Sequence, residues 1–256
     1  MSFNIKELLK EPQGMPLFHE YLRKKGYSNQ LLYKYVKSGW LNKLGPKIYA
    51  LPGEALDPVL VLKAMQQQLN LKFYFGARSS LDLHNKKFNV SFSRQDSESK
   101  YLDNPYFVFI PSATRLPVWG EVFKNFDFIK SDLFKKKELS LVELVSDSPR
   151  YQGVKVSSVE RALIELAYLV PEKINYAELV HGLELSPNLR AVELQNLLEA
   201  CLSIKAKRVF LAAADEVSQS WFKNLDIDRI DLGRGRRQIV KQGVYKSKYQ
   251  IKVPDL

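Results

Sequence analysis

Residues 27–51, YSNQLLYKYVKSGWLNKLGPKIYAL, leave this chain few ways to fold. Ser28 stands where a hydroxyl caps the free N–H groups of a first helical turn. Leu31, Leu32, Tyr35 and Val36 then recur at the 3.6-residue period, while Gln30, Tyr33, Lys34 and Lys37 fall on the opposite face. Gly39 is placed to stop that helix. Residues 40–44 and 47–51 read as strands, with Gly45-Pro46 as the turn between them. Upstream, Leu17, Phe18, Tyr21 and Leu22 repeat the helical apolar spacing, and Lys24, Lys25 and Gly26 follow as the end of that helix. Helix, short turn, helix and two-stranded wing is the winged form of the helix-turn-helix, which lays its second helix in the major groove of DNA. An amphipathic hairpin with a solvated lysine face has the same apolar pattern, so charge has to separate the two.

Charge favours DNA. Residues 1–50 hold nine Lys or Arg against three Glu, a surplus of six out of the formal +11 of the whole chain. Lysines that neutralise phosphates bind by releasing counterions, so the positive end is the expected nucleic-acid end. Asn29, Gln30, Tyr33, Lys34 and Lys37 are the expected contacts from the recognition helix, because amides read adenine edges and lysines read guanine edges or phosphate. Lys24, Lys25, Lys43 and Lys47 are expected to hold the DNA backbone.

At 256 residues and 45% hydrophobic content, the chain has enough material for a second, larger core. LPGEALD, at 51–57, reads as a linker, and Asp57-Pro58 opens a helix to about residue 70 with Val59, Leu62, Met65 and Leu69 on one face. A strand at 73–75 and a short helix at 78–84 follow. Residues 88–156 read mainly as strands: Phe88, Val90 and Phe92 alternate, 106–110 is apolar throughout, and Phe126, Phe128 and Ile129 precede a further run at 139–145. Ser157 and Glu160 have capping-box spacing before a helix carrying Ala162, Leu163, Leu166 and Leu169. Further helices are expected at 176–184, 189–202 and 205–217, with breaks at Gly182 and Ser186-Pro187, and strands around 227–232, 238–240 and 249–253. The expected fold is α+β: a winged helix-turn-helix at about 1–52 and a mixed sheet-and-helix domain at 57–256.

Several function classes fall away. A single cysteine, Cys201, forbids an internal disulfide and suits a reducing compartment. The longest stretch without a charge, 104–114, is 11 residues, against the roughly 18 that suggest a membrane span. No basic-then-apolar leader opens the sequence, and a soluble cytoplasmic protein with no membrane partner is expected. Zinc cysteine pairs, HExxH, GxSxG and Walker loops are all missing, and His19, His84 and His181 lie in separate segments. GRGRR at 233–237 reads as a basic hairpin turn rather than a phosphate loop, since no helix follows it. Asp226 and Asp228 would share a strand face, where a magnesium ion is conceivable, but a solvated strand of alternating Asp and Ile is the commoner cause. No catalysis, metal or cofactor is therefore expected.

Five spaced blocks carry a resemblance over nearly the whole chain. GWLNKLGPKIYAL, DPVLVLKAMQQQLNLKFYFGARSSLDLH, VSSVERALIELAYLVP, LLEACLSIKAKRVFLAAADEVSQSWF and IDLGRGRRQIVKQGVYKSKYQIKVP resemble the AbiEi family of bacterial transcriptional regulators. These are antitoxins of AbiE type IV toxin–antitoxin systems, which serve in phage defence. The resemblance implies an N-terminal winged helix that binds inverted repeats in its own promoter. It also implies a C-terminal domain that counters an AbiEii-like nucleotidyltransferase toxin, without requiring direct contact with it. On that reading Lys205, Lys207, Arg208, Arg234, Arg236 and Arg237 are the expected antitoxin surface, with Lys241, Lys246 and Lys248 beside them. The alternatives are a ligand-gated winged-helix repressor with no toxin partner, and a metal-dependent nuclease or transferase using Asp226 and Asp228.

Overall fold

The computed structural model describes residues 5–84 and 105–256, so the expected alternation of Phe88, Val90 and Phe92 lies outside the described residues. The chain divides into two compact units. One is drawn from Met1–Tyr74, Leu102–Lys130 and Glu143–Lys155, the other from Phe75–Tyr101, Ser131–Val142 and Val156–Leu256.

The first unit opens with α1 (Ile5–Leu8), β1 (Pro16–Phe18), α2 (His19–Lys24), α3 (Asn29–Lys37), β2 (Asn42–Gly45) and β3 (Ile48–Ala50). β3 pairs antiparallel with both β1 and β2, giving a three-stranded wing of order β1-β3-β2. Leu17 and Phe18, expected in the first helix, are instead strand residues facing Tyr49 and Ile48. Their spacing misled because a short apolar run buried on both faces has no period that separates strand from helix. Leu8, Leu17, Leu22, Tyr27, Leu32, Leu41 and Leu51 form the core beneath.

Both helices of the motif stop in the same way. After α2, Tyr27 N–H donates to the Leu22 carbonyl at 3.0 Å and Gly26 N–H to Arg23 at 2.9 Å; after α3, Trp40 N–H donates to Tyr35 at 2.9 Å and Gly39 N–H to Val36 at 3.2 Å. This pair of hydrogen bonds takes up two of the last carbonyls of each helix, but it needs a left-handed residue, and Gly26 and Gly39 supply it at φ +89 and +77. The wing turn falls one residue later than expected. Gly45 still pairs with Ile48, and Pro46-Lys47 make the turn, with Lys47 at φ +62. Gly45 serves packing rather than turning, since a Cβ there would lie 2.6 Å from Val122 Cγ2.

Next comes α4 (Pro58–Gln67), where the Asp57 carboxylate accepts from the N–H groups of Val59 and Leu60 at 2.8 and 3.2 Å. The 51–57 stretch before it, expected as a linker, is tied down within this unit. Asp57 N–H donates to the Gly14 carbonyl at 2.9 Å, and Arg150 pairs with Glu54 at 2.9 Å while also bonding the Gln13 carbonyl. Gln68, just past α4, accepts from Phe18 N–H and donates to the Pro16 carbonyl, each at 3.0 Å, so its amide satisfies β1 where no strand does. β4 is the pair Tyr74–Phe75, and β5 (Tyr106–Ile110) and β6 (Phe126–Lys130) pair in parallel through all five positions. Phe18, Trp119, Phe123 and Phe126 follow one another in ring contact at 4.9, 6.0 and 5.7 Å, so the wing and the later strands of this unit share an aromatic core.

The second unit holds α5 (Ala77–Leu83), residues 141–142 of β7 (Leu141–Glu143) and residues 156–157 of β8 (Lys155–Ser157), where Val156 pairs in parallel with Phe75. At its centre is α6 (Val159–Leu169), nine of whose eleven residues are buried. The expected capping box does not form. Ser158, not Ser157, accepts from the Arg161 N–H at 3.3 Å, which puts Glu160 one position too early to reach back. Ser157 instead donates to Glu165 at 2.7 Å, and Glu160 holds Arg190 at 2.9 Å. α7 (Tyr176–Glu184) runs straight through Gly182, because a buried helical glycine costs only about 1 kcal/mol relative to Ala and this one is packed. α8 (Ala191–Ala200) and α9 (Ile204–Val217) follow.

The chain closes with β9 (Arg237–Gln238), β10 (Val244–Lys246) and β11 (Ile251–Val253) in the order β10-β11-β9. β9 is parallel to β11, so 233–237 is a connection into a parallel strand and not the hairpin turn expected. Residues 227–232 do not form a strand either; Ile227–Arg229 is a 3-10 turn. The amide of Gln195 bonds both the N–H and the carbonyl of Asp226, at 3.0 and 3.1 Å, and takes the place a neighbouring strand would fill.

Candidate nucleic-acid interface

The α3 helix divides into the two faces its period demands. Ser28 Oγ accepts from Leu31 N–H at 3.2 Å, fixing the first turn. Leu32 is buried, with Leu31, Tyr35 and Val36 packed against the same core. Asn29, Gln30, Tyr33, Lys34 and Lys37 are exposed and together line one shallow hollow of about 530 Å³. Tyr33 is 69% exposed, an aromatic ring that the core does not use. No acidic residue lies in the first turn of α3 to compete for its N-terminal dipole.

Charges around α3 fall into two groups. Lys34, Lys37, Lys43 and Lys47 are exposed and make no ion pair among the described residues. Lys24 pairs with Glu20 at 2.8 Å, an exposed contact of the kind that a phosphate readily replaces. Lys25 is differently placed: it binds Glu11 at 2.6 Å, and Tyr21 Oη donates to the same carboxylate oxygen at 2.6 Å. Partial burial pulls its pKa down, but the bonds to Glu11 and Tyr21 outweigh this and hold the ammonium charged well above the usual lysine range. The charge of that lysine is already paired within the protein. Periodicity could not reveal this, because Glu11 lies 14 residues away.

His19 was not among the expected contacts, yet it sits at the junction of the motif. Its Nε2 lies 2.8 Å from Asn29 Oδ1, and its backbone N–H donates to the Lys47 carbonyl at 2.9 Å. No local signal marks a histidine for this role.

The second basic cluster is only partly a surface. Arg234, Arg236 and Arg237 are exposed, with Arg236 5.4 Å from the centre of the Tyr245 ring. Lys205 is half-buried and held by Glu172 at 2.8 Å and by the Val170 carbonyl at 2.7 Å. Lys207 and Arg208, expected on the surface, are buried. Burial pulls the pKa of both down. Arg208 donates to the carbonyls of Leu232, Gly235 and Gln250 at 2.7, 2.6 and 3.0 Å, so it is the internal tie that holds the C-terminal segments to α9.

Other polar candidates are placed elsewhere. His84 Nε2 meets the Ser157 carbonyl at 2.9 Å, and His181 lies 3.5 Å from Glu184. Asp226 precedes the 3-10 turn that holds Asp228, and the two share no strand face. Among the described residues, no group of three or more His, Cys, Asp or Glu is arranged to hold a metal ion. Cys201 ends α8, buried, and that burial pushes its thiol up to about 11. No described helix is long and apolar enough to cross a membrane.

Comparison with known proteins supplies the family. A model described as the AbiEi antitoxin N-terminal domain of a transcriptional regulator matches residues 1–92, and one described as a transcriptional regulator, AbiEi antitoxin of a type IV toxin–antitoxin system, matches residues 104–254. None of the curated proteins compared matches the chain. The crystal structure of the RV2827C protein from Mycobacterium tuberculosis is similar in fold, with a TM-score of 0.65 at 17% identity, covering 96% of this chain and 88% of that one. With a winged helix at one end and two family models that together span nearly the whole sequence, the chain belongs to the AbiEi family of transcriptional-regulator antitoxins of type IV toxin–antitoxin systems.

Proposed function

We propose that this protein binds inverted repeats in the promoter of its own operon through α3 and the wing, represses that operon, and counters an adjacent nucleotidyltransferase toxin of the AbiEii kind. The observation that carries the DNA half is the exposed face of Gln30, Tyr33, Lys34 and Lys37 beside two wing lysines without ion pairs among the described residues, in a chain whose family is one of transcriptional regulators. Gln30 and Asn29 supply base-edge contacts, Lys34 and Lys37 reach guanine or phosphate, and Lys24, Lys43 and Lys47 hold the backbone. Lys25, spent on Glu11, contributes little. The protein does no catalysis of its own in this reading. A mobility shift on its own promoter tests it, and equal affinity for promoter and random duplex would refute it.

The wing lysines act without regard to sequence. Lys43→Ala and Lys47→Ala should each weaken promoter and random DNA alike and lower the salt slope of log K by about 0.9. Backbone strain is not added at Lys47, since lysine and alanine carry the same Cβ in the left-handed turn. A loss confined to the promoter would contradict this assignment.

Toxin neutralisation is assigned to the exposed arginines Arg234, Arg236 and Arg237, with Lys205 at the margin. Reversing all three arginines to Glu should abolish rescue of cells expressing the toxin and leave promoter binding within about twofold, because reversal adds repulsion as well as deleting attraction. Melting temperature is measured first, to set aside unfolding. Full rescue by the folded triple variant rules the patch out. A pull-down with the toxin separates direct contact from the indirect action that the type IV class implies.

A further inference from the structure

The hydrogen bond between His19 and Asn29 bears on which bases this helix can read, a role that rests on the proposed entry of α3 into the major groove. Asn29 is the first residue of α3 and His19 the first of α2, so the bond joins the leading ends of the two helices. Asn29 presents its carbonyl oxygen Oδ1 to His19 Nε2 at 2.8 Å. An amide oxygen has no hydrogen to give, so the imidazole is the donor and carries its hydrogen on Nε2. The amide is then held with its oxygen toward α2 and its NH2 group, two donors and no acceptor, on the side left to solvent. The backbone of His19 is itself held, because its N–H donates to the carbonyl of Lys47 in the wing turn at 2.9 Å. His19 therefore ties the amide of Asn29 to the start of α2, whose backbone is in turn tied to the wing turn.

We infer that His19 is a positioning residue for specificity, which locks Asn29 as a donor and directs it to a base presenting an acceptor in the major groove. Those acceptors are guanine O6 and N7, adenine N7 and thymine O4; cytosine offers only the N4 amino donor there. A freely rotating asparagine turns its oxygen or its nitrogen outward and takes either kind of edge. The locked one discriminates against cytosine at its position. Gln30, which makes no such bond among the described residues, is left to read adenine through both ends of its amide.

The test is selection of binding sites from a random duplex pool by wild type, His19→Ala, Asn29→Ala and the double variant, all at one salt concentration. Wild type should exclude cytosine at one position of each half-site by about tenfold, the size of a single good base contact. His19→Ala should admit cytosine at that position alone, with preferences elsewhere and affinity for random DNA kept. Asn29→Ala should flatten the same position, and in that background His19→Ala should change nothing further, since the two act through one amide. A merely structural role for His19 would lower affinity at every position or lower the melting temperature, and either pattern without the single-position change overturns the inference. So does an unchanged preference in His19→Ala. If His19→Ala does not fold, Asn29→Ala decides alone: no change at any position overturns the inference. A wild type that selects no sequence at all is a distinct result, which removes the DNA-reading proposal itself.

Discussion

The double variant Gln30→Ala with Lys34→Ala is expected to fold as wild type and to lose specific promoter binding by about a hundredfold or more. Each good base contact discriminates by about 1–3 kcal/mol, and the two side chains stand one turn apart on the same exposed face. Neither packs against the core of the first unit, and neither has an ion-pair partner among the described residues. Alanine is also the better helix former, so stability should change by no more than about 0.5 kcal/mol. Affinity for random duplex should fall much less, by the share of one phosphate contact from Lys34. A promoter mobility shift at fixed salt, with circular dichroism to confirm the helix, reads the outcome. Wild-type affinity and preference in this variant would place sequence reading somewhere other than α3.

The largest stability effect is expected from Glu165→Ala in the second unit. Glu165 is fully buried and accepts from Arg161 Nε at 2.8 Å, from Ser157 Oγ at 2.7 Å and from the backbone N–H of Ala77 at 3.1 Å. Ala77 lies at φ +49, a left-handed conformation that its bond to the carboxylate helps to hold. Arg161, equally buried, donates to the carbonyls of Lys137, at 3.0 Å, and Leu139, and lies over the Phe134 ring. Removing only the carboxylate leaves a guanidinium in the core with its charge uncompensated, which costs about 3–5 kcal/mol, or roughly 6–20 °C in melting temperature for a domain of this size. Arg161→Met combined with Glu165→Leu should recover part of that loss, since an apolar pair leaves no buried charge behind. Thermal unfolding of the three proteins is the measurement. A shift below about 2 °C for Glu165→Ala, or a double variant less stable than the single one, would show that the pair is not the electrostatic centre of α6.

These two sites differ in how far the sequence displays them. The exposed face of α3 is written in local spacing: Ser28, the four apolar positions and Gly39 all act within one helix, through bonds no longer than five residues. The same holds for Asp57 before α4 and for α7 from Tyr176 to Glu184. Glu165 and Arg161 were also on display as residues four apart on a helix, but that spacing belongs as often to a solvated pair as to a buried one. Only the packing of α6 on every side makes the pair internal.

What the sequence by itself determined is therefore the set of elements whose signals are local: α3 with its two faces, its cap and its stop, the capped start of α4, and an excess of positive charge at the N-terminal end. Tertiary structure alone decided where distant groups meet. Leu17 and Phe18 became a strand because β3 and the amide of Gln68, some fifty residues on, supply their backbone partners. Arg208 went inside because three carbonyls between residues 232 and 250 converge on it, and Lys25 was paired with Glu11. Asn29 was turned by a histidine on another helix. In each case a polar group takes a partner remote in the chain, and the free energy of that choice depends on burial and geometry. Residue type and period carry neither.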